Sequence, residues 1–326
     1  MPSSIEPFNS KAYLSFPDWK PLLREEFSAR FGLNASFTEY GDLLVPDAKN
    51  IPDQIPYWCR TAFLEPFILH FDSIGEAASA LKGIQRSWAP YQFTCFRRAS
   101  LIQKKLPHVN LKPRDFPVSI PKSPIGIYTL LDEHTILASA KTSSPLPAGA
   151  LSLVEDHENP PSRAYLKIEE ALCRFAHFYE TELPSEKSRC FDAGACPGGW
   201  TWTLVNLGAK VFAVDRSPLA DSLMQNPLVK FLAHDAFTLE PEELGTFDWV
   251  LSDVICYPER LLGWIKKWIS SGMTKNIICT IKLQGGIDWS LINQFEQIPN
   301  AKILHLNYNK HELTFMWHSS FEEQCP

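Results

Sequence analysis

The apolar positions of this chain fall into two differently organised halves. From residue 165 onward they switch between helical and strand spacing. Ile168, Leu172, Phe175 and Tyr179 recur at intervals of four, three and four, on one face of a helix predicted over 165–182. Short apolar runs bounded by turn formers predict strands near 189–193, 210–215, 229–233, 247–252 and 276–282. A helical pattern starts at Trp200, and a helix over 258–270 turns Leu261, Leu262, Ile265, Trp268 and Ile269 inward. Two last strands, 301–308 and 311–317, flank a tight Asn-Lys turn and read as a hairpin. This alternation predicts an α/β fold: a mostly parallel sheet with helices on both faces and a terminal antiparallel hairpin.

The first half is less regular. Helices are predicted over 18–32 and 74–86, and strands over 62–72, 91–96 and 125–139. Many of the chain's 26 prolines lie in this half and impose irregular connections. Turn formers crowd residues 141–162 and mark a division into an α+β accessory domain, 1–150, and the α/β domain, 155–326. Internal repeats and low-complexity tracts are absent.

A length of 326 residues, 45% of them apolar, suits two cores. No apolar run approaches the roughly eighteen residues that span a bilayer. The start, Met-Pro-Ser-Ser-Ile-Glu-Pro-Phe, lacks a basic and then apolar leader, so a cytoplasmic protein without a membrane partner is expected. Eight cysteines without a C-x-x-C pair argue against a zinc site and a disulfide scaffold, and the nine histidines show no metal spacing. No metal is expected.

A net charge of −6 is not what a chain gripping phosphates would carry, but the charge is uneven. Arg86, Arg97, Arg98, Lys104, Lys105, Lys112, Arg114 and Lys122 are opposed in their span only by Asp115. Trp88, Tyr91, Phe93 and Phe96 accompany them. Basic side chains with stacking platforms suit single-stranded or looped RNA, the bland alternative being a solvated face beside core aromatics.

Residues 190–200, Cys-Phe-Asp-Ala-Gly-Ala-Cys-Pro-Gly-Gly-Trp, carry the most chemistry. An apolar run ends in Asp192, a loop of small residues follows, and a helix begins. Small residues admit a ligand close to the backbone, and a helix N-terminus offers unpaired N–H groups. The loop is not G-x-G-x-x-G, so the dinucleotide fingerprint fails. Behind it, Asp215, Asp235 and Asp253 each follow a predicted strand, where open α/β sheets bind ligands. Each alone is an ordinary turn former. Lys282 follows the apolar run Ile-Ile-Cys-Thr-Ile, where a charge calls for a function. Cys196 has no histidine placed to activate it and reads as a small loop residue.

Pro-Gly-Gly-Trp resembles motif I of the FtsJ-type S-adenosylmethionine-dependent methyltransferases, which act on ribose 2′-hydroxyls of RNA. That resemblance implies a Rossmann-like methyltransferase sheet. It also implies a Lys-Asp-Lys-Glu tetrad, matched here by Lys167, Asp253, Lys282 and Glu312, with Lys282 as general base. S-adenosylmethionine would lie against Gly194, Cys196, Pro197, Gly198, Gly199 and Trp200. Asp215 would take its ribose hydroxyls, Asp235 its adenine amino group, and Asp253 would face the methyl-transfer region. The pattern is most similar to the RlmM subfamily, which methylates a ribose of 23S ribosomal RNA. It shares Ser-Arg-x-x-x-Lys-x-Glu-Glu-Ala at 162–171 and the Lys-Leu pair at 282–283. The resemblance is strong over 160–317 and faint over the first 150 residues, where that family carries an RNA-binding region with a THUMP-type module.

Three positions depart from the pattern. Ala164 replaces a serine, Gln284-Gly285-Gly286 replaces Pro, Met and basic residues, and Val-Ile-Cys after Asp253 replaces an aromatic or proline platform. The expected partner is RNA, large-subunit ribosomal RNA first, rather than DNA. A transfer RNA or capped messenger RNA substrate stays open, as does an inactive RNA-binding assembly factor. The effect of Lys167 against those of Asp253 and Glu312 on the Lys282 proton stays undecided at this level.

Overall fold

A computed structural model describes residues 3–48 and 51–319. Cys325 and the outer ends of both predicted domains lie outside these residues. The chain divides into two units, one of residues 1–114 with 120–152, the other of 115–119 with 153–326. No helix among the described residues is long and apolar enough to cross a membrane.

In the first unit the elements are β1 (Ser4–Pro7), β2 (Ala12–Ser15), α1 (Lys20–Ala29), β3 (Phe37–Tyr40), β4 (Leu43–Pro46), β5 (Cys59–Phe63), β6 (Pro66–His70), α2 (Ile74–Ile84), β7 (Trp88–Pro90), α3 (Phe96–Lys105), β8 (Gly126–Leu130) and β9 (Thr135–Ser139). They form a four-stranded sheet, β3-β4-β2-β5, and a five-stranded one, β1-β6-β9-β8-β7.

Three expectations are corrected here. The strand predicted over 62–72 is two: β5 pairs with β2 in one sheet, β6 with β1 and β9 in the other. Pro66, which has no N–H to donate, starts the second. The strand predicted over 91–96 is instead the approach to α3, where Cys95 turns the chain at φ 49° and Ala99, Ile102 and Leu106 point inward at helical spacing. Trp88 is no stacking platform. It is fully buried, and its indole N–H donates to the Leu81 carbonyl at 2.9 Å.

The second unit runs α4 (Tyr165–Tyr179), β10 (Arg189–Ala193), α5 (Gly199–Asn206), β11 (Lys210–Asp215), α6 (Asp221–Met224), β12 (Val229–Ala233), α7 (Pro241–Leu244), β13 (Phe247–Ser252), α8 (Pro258–Ser271), β14 (Thr274–Lys282), α9 (Trp289–Glu296), β15 (Ala301–Leu304) and β16 (Glu312–His318). They form one seven-stranded sheet, β12-β11-β10-β13-β14-β16-β15. Strands β10 to β14 are parallel, and β16 runs antiparallel to both its neighbours. This is the Rossmann-like methyltransferase sheet with its antiparallel terminal strand.

Strand alternation distributes the core. Cys190, Val211, Trp249, Leu251 and Ile278 meet Ile168, Leu172 and Phe175 of α4 and Leu204 of α5 in one cluster. The intervening Phe191 and Phe247 turn the other way, onto Trp268 of α8, at 5.5 Å and 6.0 Å between ring centroids. Helix α4 stops three residues short of prediction because Glu180 takes the left-handed conformation, φ 51°.

The hairpin also differs from expectation. Residues 305–311 are an inward-packed connector, with Leu306 in the core and Asn309 donating to the Thr314 hydroxyl at 3.0 Å.

Candidate active site

The order of the strands reverses at β10, whose parallel neighbours are β11 on one side and β13 on the other. The crevice at the carboxyl ends of such strands is where open α/β sheets take ligands. Asp253 follows β13, Lys282 ends β14, and the antiparallel ladder sets Glu312, the first residue of β16, directly opposite Lys282. Lys167 arrives from the first turn of α4.

The four side chains meet in a closed ring of alternating charge. Lys167 Nζ lies 2.7 Å and 3.0 Å from the two Asp253 oxygens and 3.0 Å from Glu312 Oε1. Lys282 Nζ lies 2.5 Å from Asp253 Oδ1 and 2.6 Å from Glu312 Oε2. Their side chains are only 7–18% exposed, so these bonds must offset the desolvation of four charges. The Lys282 proton is thereby decided. Burial alone would pull its ammonium down, but Asp253 and then Glu312 outweigh burial and hold it above the ordinary lysine range. Burial would likewise raise Glu312, and Lys167 and Lys282 keep it below the usual carboxylate range.

Beside the ring opens a cleft of about 440 Å³, walled by Ser162, Gly194, Cys196, Asp215, Asp253 and Lys282 among others. A smaller cavity of about 180 Å³ shares Gly194, Asp215 and Ile255 with it and extends to Asp235, Phe237 and Arg260. Both belong to the second unit, and the larger lies in the ordinary range for small-molecule sites, about 300–1,000 Å³.

Of the expected cofactor residues, Gly194, Cys196, Pro197, Gly199, Trp200, Asp215 and Asp253 line the cleft. Gly198 is instead the N-cap of α5, turned toward Leu223. Asp215 accepts from the Cys196 and Ser217 N–H groups, each at 3.0 Å. Trp200 donates its indole N–H to the Ala164 carbonyl at 3.1 Å, tying the loop to the start of α4 and so to Lys167. Burial and then the Asp215 charge push the Cys196 thiol up.

Asp235 lies in the smaller cavity with both oxygens engaged. Arg216 and Arg260 reach Oδ2 at 2.7 Å and 3.0 Å, and the Phe237 N–H reaches Oδ1 at 3.1 Å. Burial opposes its charge, but Arg260, the Phe237 N–H and Arg216 hold the carboxyl at about 2.

S-adenosylmethionine fits these residues on three observations. Gly194, at φ 78°, leaves backbone bare where a Cβ would stand 2.7 Å from Val254 Cβ, so the floor of the cleft depends on a missing side chain. Ser162 lines the cleft, and its Oγ, beside Gly199, is shut from solvent and without a hydrogen-bond partner. Asp192, fully buried at the end of β10, accepts from the Thr201 hydroxyl at 2.6 Å, and burial first of all lifts its carboxyl to about 7. An acid waiting for a cation and a hydroxyl waiting for a partner match the amino-acid end of that cofactor. Sequence reasoning noted Asp192 only as the end of an apolar run and did not single out Ser162. The signal for the first was its place at the mouth of the small-residue loop. The signal for the second was its place as the first residue of the shared Ser-Arg-x-x-x-Lys run at 162–167.

Comparison with known proteins agrees with this architecture. The pattern of the FtsJ-like methyltransferase family matches residues 160–303, a span containing three of the four ring members. Over 152 residues the chain is 39% identical to ribosomal RNA large subunit methyltransferase M of Pseudomonas fluorescens (strain Pf0-1), covering 45% of this chain and 41% of that protein. Against the protein of the same name from Aggregatibacter aphrophilus it is 38% identical over 166 residues, 47% and 46% of the two lengths. The matched part thus spans less than half the length of these curated relatives. A longer match, 30% identical over 268 residues, takes in 78% of this chain and 72% of ribosomal RNA large subunit methyltransferase M of Xanthomonas oryzae pv. oryzae. With that extent of identity, on a methyltransferase sheet, the chain belongs to the ribosomal RNA large subunit methyltransferase M family of FtsJ-like, S-adenosylmethionine-dependent methyltransferases.

Proposed function

We propose that this chain methylates a ribose 2′-hydroxyl of large-subunit ribosomal RNA, with Lys282 as general base in the Lys167–Asp253–Lys282–Glu312 tetrad. The observation that carries the reading is the closed ring of two ammonium and two carboxylate groups at the rim of the cleft. S-adenosylmethionine, when bound, supplies a methyl group already activated on a cationic sulfur. What remains for the protein is to aim a hydroxyl and remove its proton.

Lys282 is the member of the ring that also lines the cleft with Asp253. It rests as an ammonium, so it must first release a proton to solvent water before its amine can accept the one from the 2′-oxygen. Lys167, bonded to both carboxylates, keeps them aimed while that proton leaves. Ser162 and Asp192 hold the amino-acid end of the cofactor and Asp215 its ribose. At the adenine end, Asp235 can accept from an amino group only by giving up a guanidinium bond. Gln284-Gly285-Gly286, just past Lys282, flanks the acceptor side.

Incubation with methyl-labelled S-adenosylmethionine and ribosomal RNA, followed by nuclease mapping, tests the proposal. The expected result is label on one 2′-oxygen of the large-subunit RNA, lost in Lys282→Ala while cofactor binding persists. Label on a base, or full turnover by Lys282→Ala, overturns it. Label confined to transfer RNA would keep the chemistry and reassign the substrate.

A further inference from the structure

Among the described residues, the two most exposed large apolar side chains are Ile255, at 80%, and Tyr257, at 69%. They stand two and four residues past Asp253, on the connector between β13 and α8. That connector is held at both ends. The Val254 N–H donates to Ser252 Oγ at 3.4 Å, and the same hydroxyl donates to the Ala193 carbonyl at 2.8 Å. At the other end the Tyr257 carbonyl accepts from the Arg260 and Leu261 N–H groups of α8, at 3.1 Å and 3.3 Å. Exposure alternates along it: Val254, close against Gly194, and Cys256 are half-buried, while Ile255 and Tyr257 are exposed. On an extended backbone such alternation sets the two exposed side chains to one side. The Tyr257 side chain makes no hydrogen bond and meets no other ring among the described residues.

Single apolar side chains on a surface are ordinary, but a fixed pair rimmed by charge is a contact surface. Ile255 lines the cleft together with Asp253 and Lys282, so the pair is continuous with the place where the methyl acceptor has to sit. A ribose whose 2′-oxygen reaches Lys282 belongs to a nucleotide drawn away from its neighbours, and its base has lost part of its stack. An aromatic ring beside an aliphatic side chain offers a replacement face that any base can use.

We propose that Ile255 and Tyr257 seat the base of the target nucleotide and so position its 2′-hydroxyl toward Lys282. The proposal rests on the reading that the chain methylates RNA. Both are positioning residues: they hold the acceptor and take no part in moving its proton. Ile255 lies in the Val-Ile-Cys run where this chain departs from the FtsJ-type pattern, so the seat is particular to this chain. It selects an unpaired nucleotide rather than one base identity.

The full chain, methyl-labelled S-adenosylmethionine and protein-free ribosomal RNA test it. Ile255→Ala combined with Tyr257→Ala should lower turnover at saturating RNA about tenfold, the usual weight of one stacked base, and change the RNA dissociation constant less than about twofold. Tyr257→Phe, which keeps the ring, should recover most of the loss. Tyr257 lines neither cavity of the cofactor side, so Tyr257→Ala should bind S-adenosylmethionine like the wild type in calorimetry while still losing turnover. Wild-type turnover by the double variant overturns the proposal and leaves the methylation reading intact. Short-wave ultraviolet cross-linking to the same RNA reads the contact without turnover. A nucleotide joined to the peptide holding Ile255 and Tyr257 is the expected result, and cross-links that spare that peptide overturn the proposal. So does a dimer, seen by sedimentation, that the double substitution dissociates, since a second copy would then own the surface. Cross-linking at Tyr257 with no methyl transferred would bring down the proposed activity and leave the seat standing.

Discussion

Lys282 meets its acceptor with a proton it must first lose, because Asp253 and Glu312 hold the ammonium above the ordinary lysine range. The turnover rate should therefore climb with pH across the neutral and alkaline range. Glu312→Gln, which removes one of the two charges, should move the climb to lower pH; a pH–rate profile superimposable on the wild type would contradict this. The same charges bear on stability. Glu312, held low, contributes stability that is present above the ordinary carboxylate range and lost as pH falls through its lowered value. Lys282, held high, contributes stability present below the ordinary lysine range and lost as pH rises through its raised value. Glu312→Ala should thus cost about 3 kcal/mol or more at neutral pH, read by denaturant titration, since it strands buried ammonium groups. Asp192 works with the opposite sign. With its carboxyl lifted to about 7, it is half neutral near neutrality. Cofactor affinity should fall as pH drops from 8 to 6, and Asp192→Asn should flatten that dependence in calorimetric titrations. Lys282 was legible because a charge after five apolar or small residues is out of place. That it faces Glu312, thirty positions on, came from the register of β14 against β16, and register is not written in local spacing.

At the scale of elements, those of the second unit were readable because each apolar run served one sheet. Strands β10, β11, β12 and β13 begin and end where the runs do. The first unit defeated the same reasoning where one run served two sheets, as at β5 and β6, or where a helix began without a capping side chain, as α3 does at Cys95. Helix α9 went unpredicted although its signal is present. Asp288 accepts from the Ser290 and Leu291 N–H groups at 3.0 Å and 3.1 Å, and Leu291, Ile292 and Phe295 recur at helical spacing. Eight residues is a short window for a periodicity to show. Asp288→Ala should cost about 1 kcal/mol in chemical denaturation, the usual worth of a helix cap. Gly194 is the contrasting case, a loop residue whose value lies in an absent side chain. Gly194→Ala should lower cofactor affinity at least tenfold while leaving the RNA affinity of the chain intact; equal cofactor binding by the variant would refute the close approach inferred for that floor.

Across the whole molecule, chain order and structural membership part company. The turn-rich composition of 141–162 announced one division, whereas residues 115–119 also belong with the second unit. Val118 donates its N–H to Cys173 Sγ at 3.3 Å, and Phe116 packs against the core around α4. No local signal could reveal this, since a five-residue segment has no period of its own. A fragment starting at residue 153 should therefore be less stable than the same fragment supplied with 115–119 through a designed linker, and equal melting temperatures would show the strap to be dispensable. During synthesis the polypeptide emerges from its amino end, so the first unit can close once residue 152 is out. The strap must then wait, looped out and accessible to protease, until the helix bearing Cys173 has followed it into the open. Stalled nascent chains released between those two lengths should be nicked near Phe116, and longer ones spared.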